Sequence, residues 1–331
     1  MSICVSLKSC SSSLAVLQLH LDYLYTTLHK QIDYGMMQQI IATITTSTDE
    51  ELRLSYYDCP CAPNEDCKGV ILLIHGWPQT SYQFRKVLQP LSEAGYRVIA
   101  PDYRGAGQSS KPVDGYEKSQ MAEDLFILIR QLGITSKIHI VGHDIGGMIA
   151  FAYASRHPDG VASLIWGECP LPGSAFYEAV KGNPDGFHFT FHRVLDLPEA
   201  LIAGRESIYL KHFYDKQSYK SAITPSDLAI YAEAYAQPGA MRAGLNLYRT
   251  LDRDAEENRK FIEEHGKTQV PTLGMAGNNF LVKAYTEHMM QEMHDGAEIA
   301  FVENSGHYIA EENPEGFVET VLGFVRKHES N

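Results

Sequence analysis

The chain has 331 residues, 44% of them hydrophobic, enough to bury a substantial core in one enzyme-sized unit that carries an insertion. Its formal net charge is -13, from 28 Lys and Arg against 41 Asp and Glu, and no basic run is present, which argues against DNA or RNA as a partner. The six cysteines (Cys4, Cys10, Cys59, Cys61, Cys67 and Cys169) are sparse and unevenly spaced for a secreted disulfide scaffold, so a reducing, cytoplasmic setting is expected.

Residues 1–38 stand outside the pattern that follows. Their apolar stretch from Leu14 to Tyr25 is broken by His20 and Asp22, too short and too polar to span a bilayer. It also lacks the flanks of a signal peptide, so a short amphipathic helix or a poorly ordered extension is expected. From residue 39 onward, short β-branched runs alternate with longer helical patterns, the signature of a doubly wound, mostly parallel sheet covered by helices on both faces. The runs fall at 39–46, 52–57, 69–75, 97–100, 137–141, 161–167, 270–276 and 298–302, which predicts eight strands. Between the second and third runs, Cys59-Pro60-Cys61 with Cys67 has no second Cys or His pair at zinc spacing and is expected to be an exposed loop.

Helices are expected at 81–94, 117–132, 145–156, 283–293 and 314–327. The alternation is suspended over 170–268, where helix formers and aromatics replace strand signals. This segment reads as an inserted helical cap between two parts of a core, 39–169 and 269–331, with Thr224-Pro225-Ser226-Asp227 opening a helix that ends near Ala236. The C-terminal His328-Glu329-Ser330-Asn331 carries no lipidation or peroxisomal address.

Three segments carry chemistry. In the first, His139 to Val141 runs straight through Gly142-His143-Asp144-Ile145-Gly146-Gly147 into a helix of small residues. A strand-to-helix turn this tight needs glycines on both sides, and it lifts the central side chain above the sheet. The commonest central residue is serine. Here it is Asp144, whose carboxylate lies at the positive end of a helix that favours its ionised form. An ionised carboxylate attacks a strained or polarised sp3 carbon directly and leaves an ester on the enzyme, so epoxides and alkyl halides suit it better than acyl esters. The second segment is Ile74-His75-Gly76-Trp77-Pro78, whose Trp77 N–H, with that of Ile145, is placed to form an oxyanion hole. The third is Asn304-Ser305-Gly306-His307, after the last strand, the slot in which such a fold carries its base. The loop after 270–276 offers only Asn278 and Asn279, so Glu168, at the end of the preceding strand, is expected to orient His307.

Together, His75-Gly76-Trp77-Pro78, Pro101 to Gly105 with Lys111-Pro112, Gly142-His143-Asp144-Ile145-Gly146 and Gly306-His307 resemble the epoxide hydrolase and haloacetate dehalogenase branch of the α/β-hydrolase superfamily, over about residues 39–328. The resemblance implies the α/β-hydrolase fold with a helical cap. Asn246-Leu247-Tyr248-Arg249 resembles the epoxide hydrolase motif whose tyrosine holds the ring oxygen, which implies Tyr248 as proton donor. Phe187-His188-Phe189 looks like the segment where fluoroacetate dehalogenases carry His-Trp; His188 matches and Phe189 departs. His75, His188 and Phe189 are expected against the substrate, with Tyr177 as a substitute for the second cap tyrosine common in epoxide hydrolases.

Dehalogenases follow the nucleophile with a halide-binding Trp or with arginines, whereas Ile145 and Met148 stand here. The implied activity is therefore hydrolysis of a small lipophilic epoxide through an ester on Asp144, with no metal and no organic cofactor. A dehalogenase using the same triad and a catalytically silent binding protein are the alternatives, and a homodimer is left open.

Overall fold

Runs of β-branched and aliphatic residues that must lose contact with water on both faces pack as neighbours in one sheet, and a computed structural model describes this sheet over residues 38–61 and 67–329. The expectation for the N-terminal extension lies outside the described residues. Among them, the strands are β1 (Ile40–Thr45), β2 (Glu51–Cys59), β3 (Gly69–Ile74), β4 (Tyr96–Pro101), β5 (Ile138–His143), β6 (Val161–Gly167), β7 (Thr272–Gly277) and β8 (Glu298–Val302). They form one eight-stranded sheet in the order β1-β2-β4-β3-β5-β6-β7-β8. β1 with β2 and β2 with β4 pair antiparallel, and the other pairs are parallel. Central β5 is buried along its whole length, while edge strand β1 alternates exposed and covered positions as a one-sided strand must.

The first helices are α1 (Leu88–Glu93), α2 (Lys118–Gln131) and α3 (Ile145–Arg156). The single helix expected over 81–94 is instead a 3-10 turn, Ser81–Phe84, followed by α1. Pro90 is the reason: it lacks the N–H that a helix running through from Ser81 would need, and a proline is tolerated only in the first turn of a helix restarted at Leu88. Between β6 and β7 the chain builds α4 (Ala175–Val180), α5 (His188–Phe191), α6 (Leu197–Ile202), α7 (Glu206–Gln217), α8 (Pro225–Ala236), α9 (Ala240–Arg249) and α10 (Leu251–His265). The expected start of α8 carries a full capping box, with Thr224 accepting from the Asp227 N–H and Asp227 accepting from the Thr224 N–H. After β7 come α11 (Lys283–Met293), the short α12 (Ile309–Glu312), which the sequence did not announce, and α13 (Pro314–Val325).

The Cys59 to Cys67 segment corrects an expectation. Cys61 and Cys67 are paired as a disulfide, their Cα atoms 5.7 Å apart, so this pair is not held as free thiols. Cys59 ends β2 and is buried rather than part of an exposed loop. No helix among the described residues is long and apolar enough to cross a membrane.

The inserted helices are held to the core by buried charges as well as apolar packing. Lys118, at the start of α2, is buried and donates to the Leu247 carbonyl (2.7 Å), Thr250 Oγ1 (3.0 Å) and Asp254 Oδ2 (2.8 Å). It thereby fixes the end of α9 and the start of α10. Arg85 on the core side bridges Asp227 of α8 (2.9 Å) and Glu311 of α12 (2.6 Å). Removing one member of a buried pair leaves the other charge uncompensated. Lys118→Ala is therefore expected to lower unfolding free energy by about 3–5 kcal/mol in urea titration, whereas Lys118→Met with Asp254→Leu recovers most of it. A single variant as stable as the parent would show that the pair does not anchor these helices.

Candidate active site

The chain turns from β5 into α3 at one residue, Asp144, which takes φ 52° and ψ -122°. A side chain in this region is strained by about 1–3 kcal/mol and persists only where its surroundings fix it. They do: a Cβ on Gly146 would sit 2.1 Å from the Ile74 carbonyl oxygen, so only glycine lets α3 pass so close to the end of β3. That proximity brings the loop after β3 over the turn, where the Trp77 N–H donates to Asp144 Oδ2 at 2.9 Å. The Ile145 N–H also hydrogen-bonds the carboxylate.

Adjacent strand ends supply the remaining polar groups, as expected for a parallel sheet whose carboxyl ends share one edge. Glu168 follows β6, also at positive φ (61°), and His307 follows β8. His307 Nδ1 lies 3.0 Å from Glu168 Oε2, and Glu168 Oε1 accepts the Gly277 N–H at 2.6 Å. With Nδ1–H donating to the carboxylate, Nε2 of the neutral ring is left to accept a proton. Asn278 instead bonds Lys283 and Glu303, so the acid that reaches the histidine is Glu168.

Burial governs the protonation of all these groups. It raises the Asp144 pKa above the ordinary aspartate value, against the opposing pull of His307 and the N–H groups of Ile145 and Trp77. The helix end expected to favour the ionised form is thus one influence among several, and burial opposes it. Burial also lowers the pKa of His307, with Asp144 opposing, and pushes Glu168 well up, with the Gly277 N–H opposing.

Asp144, Glu168, His307 and Trp77 line a cavity of about 550 Å³. Phe176, Phe189, Phe213, Phe280 and Val282 make its apolar wall, and Asn183, Asp185 and Lys216 its exposed rim. Tyr248, on α9, and His188, on α5, face the same space, their rings 5.5 Å apart. The Tyr248 hydroxyl has no hydrogen-bond partner among the described residues, and burial pushes its pKa well above 10, so it stays a neutral donor. Burial lowers the His188 pKa to about 3, leaving a neutral ring there too.

Two expected pocket residues lie elsewhere. Tyr177 is buried between helices, where its hydroxyl donates to Asp252 (2.9 Å) and accepts from Arg193 (2.8 Å), so it is no substitute for a second tyrosine. His75 is fully buried and stacked on Tyr103 at 4.1 Å, turned away from the cavity. The place facing Tyr248 belongs to His188. Sequence reading missed Phe176, Phe213, Phe280, Val282 and Gln217, which only the packing of helices and loops directs to one space. Sequence reading also gave no role to His143, whose Nε2 donates to the His307 carbonyl at 2.7 Å. Among the described residues no cluster of His, Cys, Asp or Glu is arranged to hold a metal ion.

The fold agrees with the chain's relatives. The sequence pattern of the alpha/beta hydrolase fold family matches residues 69–314. The soluble epoxide hydrolase of Corynebacterium sp. (strain C12) is 33% identical over 267 residues, which cover 77% of this chain and 89% of that one. Of solved structures, the epoxide hydrolase CorEH without ligand shares 30% identity at a TM-score of 0.75, covering 88% of this chain and 99% of that one. Cfl2 from Burkholderia cenocepacia shares 27% at 0.79, covering 86% and 95%. The chain belongs to the alpha/beta hydrolase fold family. Within that family it falls in the epoxide hydrolase branch, and it is an enzyme of the hydrolase class.

The buried environment of His188 can be checked directly. By NMR its ring carbons are expected to keep neutral shifts from pH 8 down to about 5, since the pKa is lowered to about 3. A titration midpoint near the ordinary histidine value of about 6.5 would show the ring open to water.

Proposed function

We propose that this enzyme opens a small lipophilic epoxide to a vicinal diol in two half-reactions, through an ester on Asp144. The observation that carries the reading is a carboxylate at the strained turn, on the wall of an apolar cavity that also bears the unpartnered hydroxyl of Tyr248. Ile145 and Met148, in place of a Trp or arginines, favour an uncharged electrophile over a halide or a haloacid.

In the first half-reaction an Asp144 oxygen attacks an epoxide carbon and the ring C–O bond breaks. The ring oxygen takes the proton of Tyr248, with His188 as a second polar contact, leaving a hydroxyalkyl ester. In the second, a water gives its proton to His307 Nε2 and attacks the ester carbonyl carbon. The imidazolium is stabilised by Glu168, 3.0 Å from Nδ1. The oxyanion meets the N–H groups of Trp77 and Ile145, which already address this carboxylate in the resting site. The ester's acyl–oxygen bond then breaks, the diol's oxygen recovers the proton from His307, and Asp144 keeps the oxygen of the water; the second proton of that water, left on the Asp144 carboxyl, returns to the Tyr248 phenolate, and both groups regain their starting states. Residues 170–268 act as the cap that walls this chemistry off, on a core formed by 39–169 and 269–331.

Asp144→Asn is expected to lower turnover at least about a thousandfold, assayed promptly because the amide can revert to acid. His307→Gln should accumulate the ester, seen as protein mass increased by one substrate. Single turnover in ¹⁸O-water should place label in the peptide containing Asp144, and diol formation without such label would overturn the ester route. Tyr248→Phe should reduce the ring-opening rate about a hundredfold. Because burial lowers the His307 pKa, the neutral base is present throughout the neutral range and is lost only as pH falls below the usual histidine value. The acid limb of ester hydrolysis should therefore lie below about pH 6.5; a limb above pH 7 would remove His307 from this role.

A further inference from the structure

The loop that carries His307 is fastened to the last turn of an inserted helix. The backbone N–H of His307 donates to the carbonyl of Gln217, the final residue of α7, at 3.0 Å. The neighbouring Tyr308 hydroxyl donates to Gln217 Oε1 at 2.9 Å. Glu312 completes the clasp. Its Oε2 accepts the N–H groups of Tyr219 (2.7 Å) and Lys220 (3.1 Å), and its Oε1 accepts the Tyr308 N–H (3.0 Å). The two segments press so closely that a Cβ on Gly306 would stand 2.6 Å from both the Gln217 oxygen and the Tyr219 nitrogen. On its other side the His307 carbonyl accepts from His143 at 2.7 Å, so the base's backbone is held between the turn that carries Asp144 and the end of α7.

Resting on the reading that His307 activates water, we propose that the clasp formed by Gln217, Tyr308 and Glu312 positions this base, so that docking of the inserted helix controls ester hydrolysis separately from ring opening. The separation follows from which atoms each step needs. Ring opening uses Asp144 and Tyr248, and neither is bonded to residues 217–220. Hydrolysis needs His307 Nε2 aimed at a water above the ester carbonyl. The Glu168 bond fixes only one end of that ring, and the backbone contacts to Gln217 and His143 set the rest of its position. Loss of the anionic acceptor at Glu312 frees three N–H groups at once and lets the end of α7 drift from the loop. A misplacement of the base by a fraction of an ångström is enough to slow proton transfer.

Single-turnover kinetics with an aryl epoxide, following the protein-bound ester by mass and the diol by quench, separate the two steps. Glu312→Ala is expected to slow ester hydrolysis about tenfold, the loss of one well-placed charged hydrogen bond, while ester formation stays within about twofold. The ester then accumulates in the steady state, and Glu312→Gln, which keeps one acceptor oxygen, recovers part of the hydrolysis rate. Tyr308→Phe, a milder change, should act in the same direction by about threefold and carries the test if Glu312→Ala does not fold. Parental hydrolysis rates in the folded variants, or equal slowing of both steps, would overturn the clasp's role. His307→Gln run alongside keeps the two ideas apart: failure to trap ester there refutes the base assignment itself, whereas trapped ester with unaffected clasp variants refutes only the clasp.

Discussion

Between the end of β5 and the start of α3 the chain reverses within a single residue, and the contacts that make this possible fix most of the site. Asp144 can hold a positive φ because the first turn of α3 lies against the end of β3 at a distance that only a glycine permits. The same approach carries the loop after β3 across the turn, so the backbone N–H groups of Trp77 and Ile145 converge on the carboxylate. The strain at Asp144 is thus tied to the electrostatic arrangement around it, and relaxing one would undo the other.

Around that turn, burial works against charge at every polar group. It raises the pKa of Asp144, Glu168 and Tyr248 and lowers that of His307 and His188. In this apolar cavity, charge that develops during the proposed reaction interacts strongly with fixed N–H donors and with the Glu168 carboxylate. A neutral imidazole can take a proton, and a phenol far below its pKa keeps one to give. These are the protonation states that the proposed ring opening and hydrolysis require.

The inserted helices contribute more than a wall. Lys118 bonds the carbonyl that precedes Tyr248, Arg85 joins α8 to α12, and the end of α7 bonds the backbone of His307. Tyr214 of α7 donates to the Pro78 carbonyl at 2.7 Å, next to the Trp77 donor. The segments that carry Trp77 and His307 on the core are thus fastened to these helices, which makes the packing of α7 to α10 part of the cavity's geometry.

By itself the sequence determined the alternation of strands and helices, the run of helices between β6 and β7, and the placing of Asp144 at the glycine turn and of Glu168 and His307 after strand ends, because strand burial, the glycine turn and the strand-end loops are local patterns with a fixed place in such a sheet. Strands β6 and β8 and helices α3 and α11 fall where the periodicity puts them, whereas the 81–94 segment splits at a proline that the apolar pattern alone did not weigh. What only the tertiary structure decided is the make-up of the cavity: that His188 faces Tyr248, that Tyr177 is tied up with Asp252 and Arg193, that His75 stacks beneath Tyr103, and that Gln217 touches the base loop. These relations join residues about fifteen to ninety positions apart through the packing of helices and loops. A helix's own sequence states which face is apolar, but which neighbour that face meets, and at what angle, is set by the shapes of all the helices together.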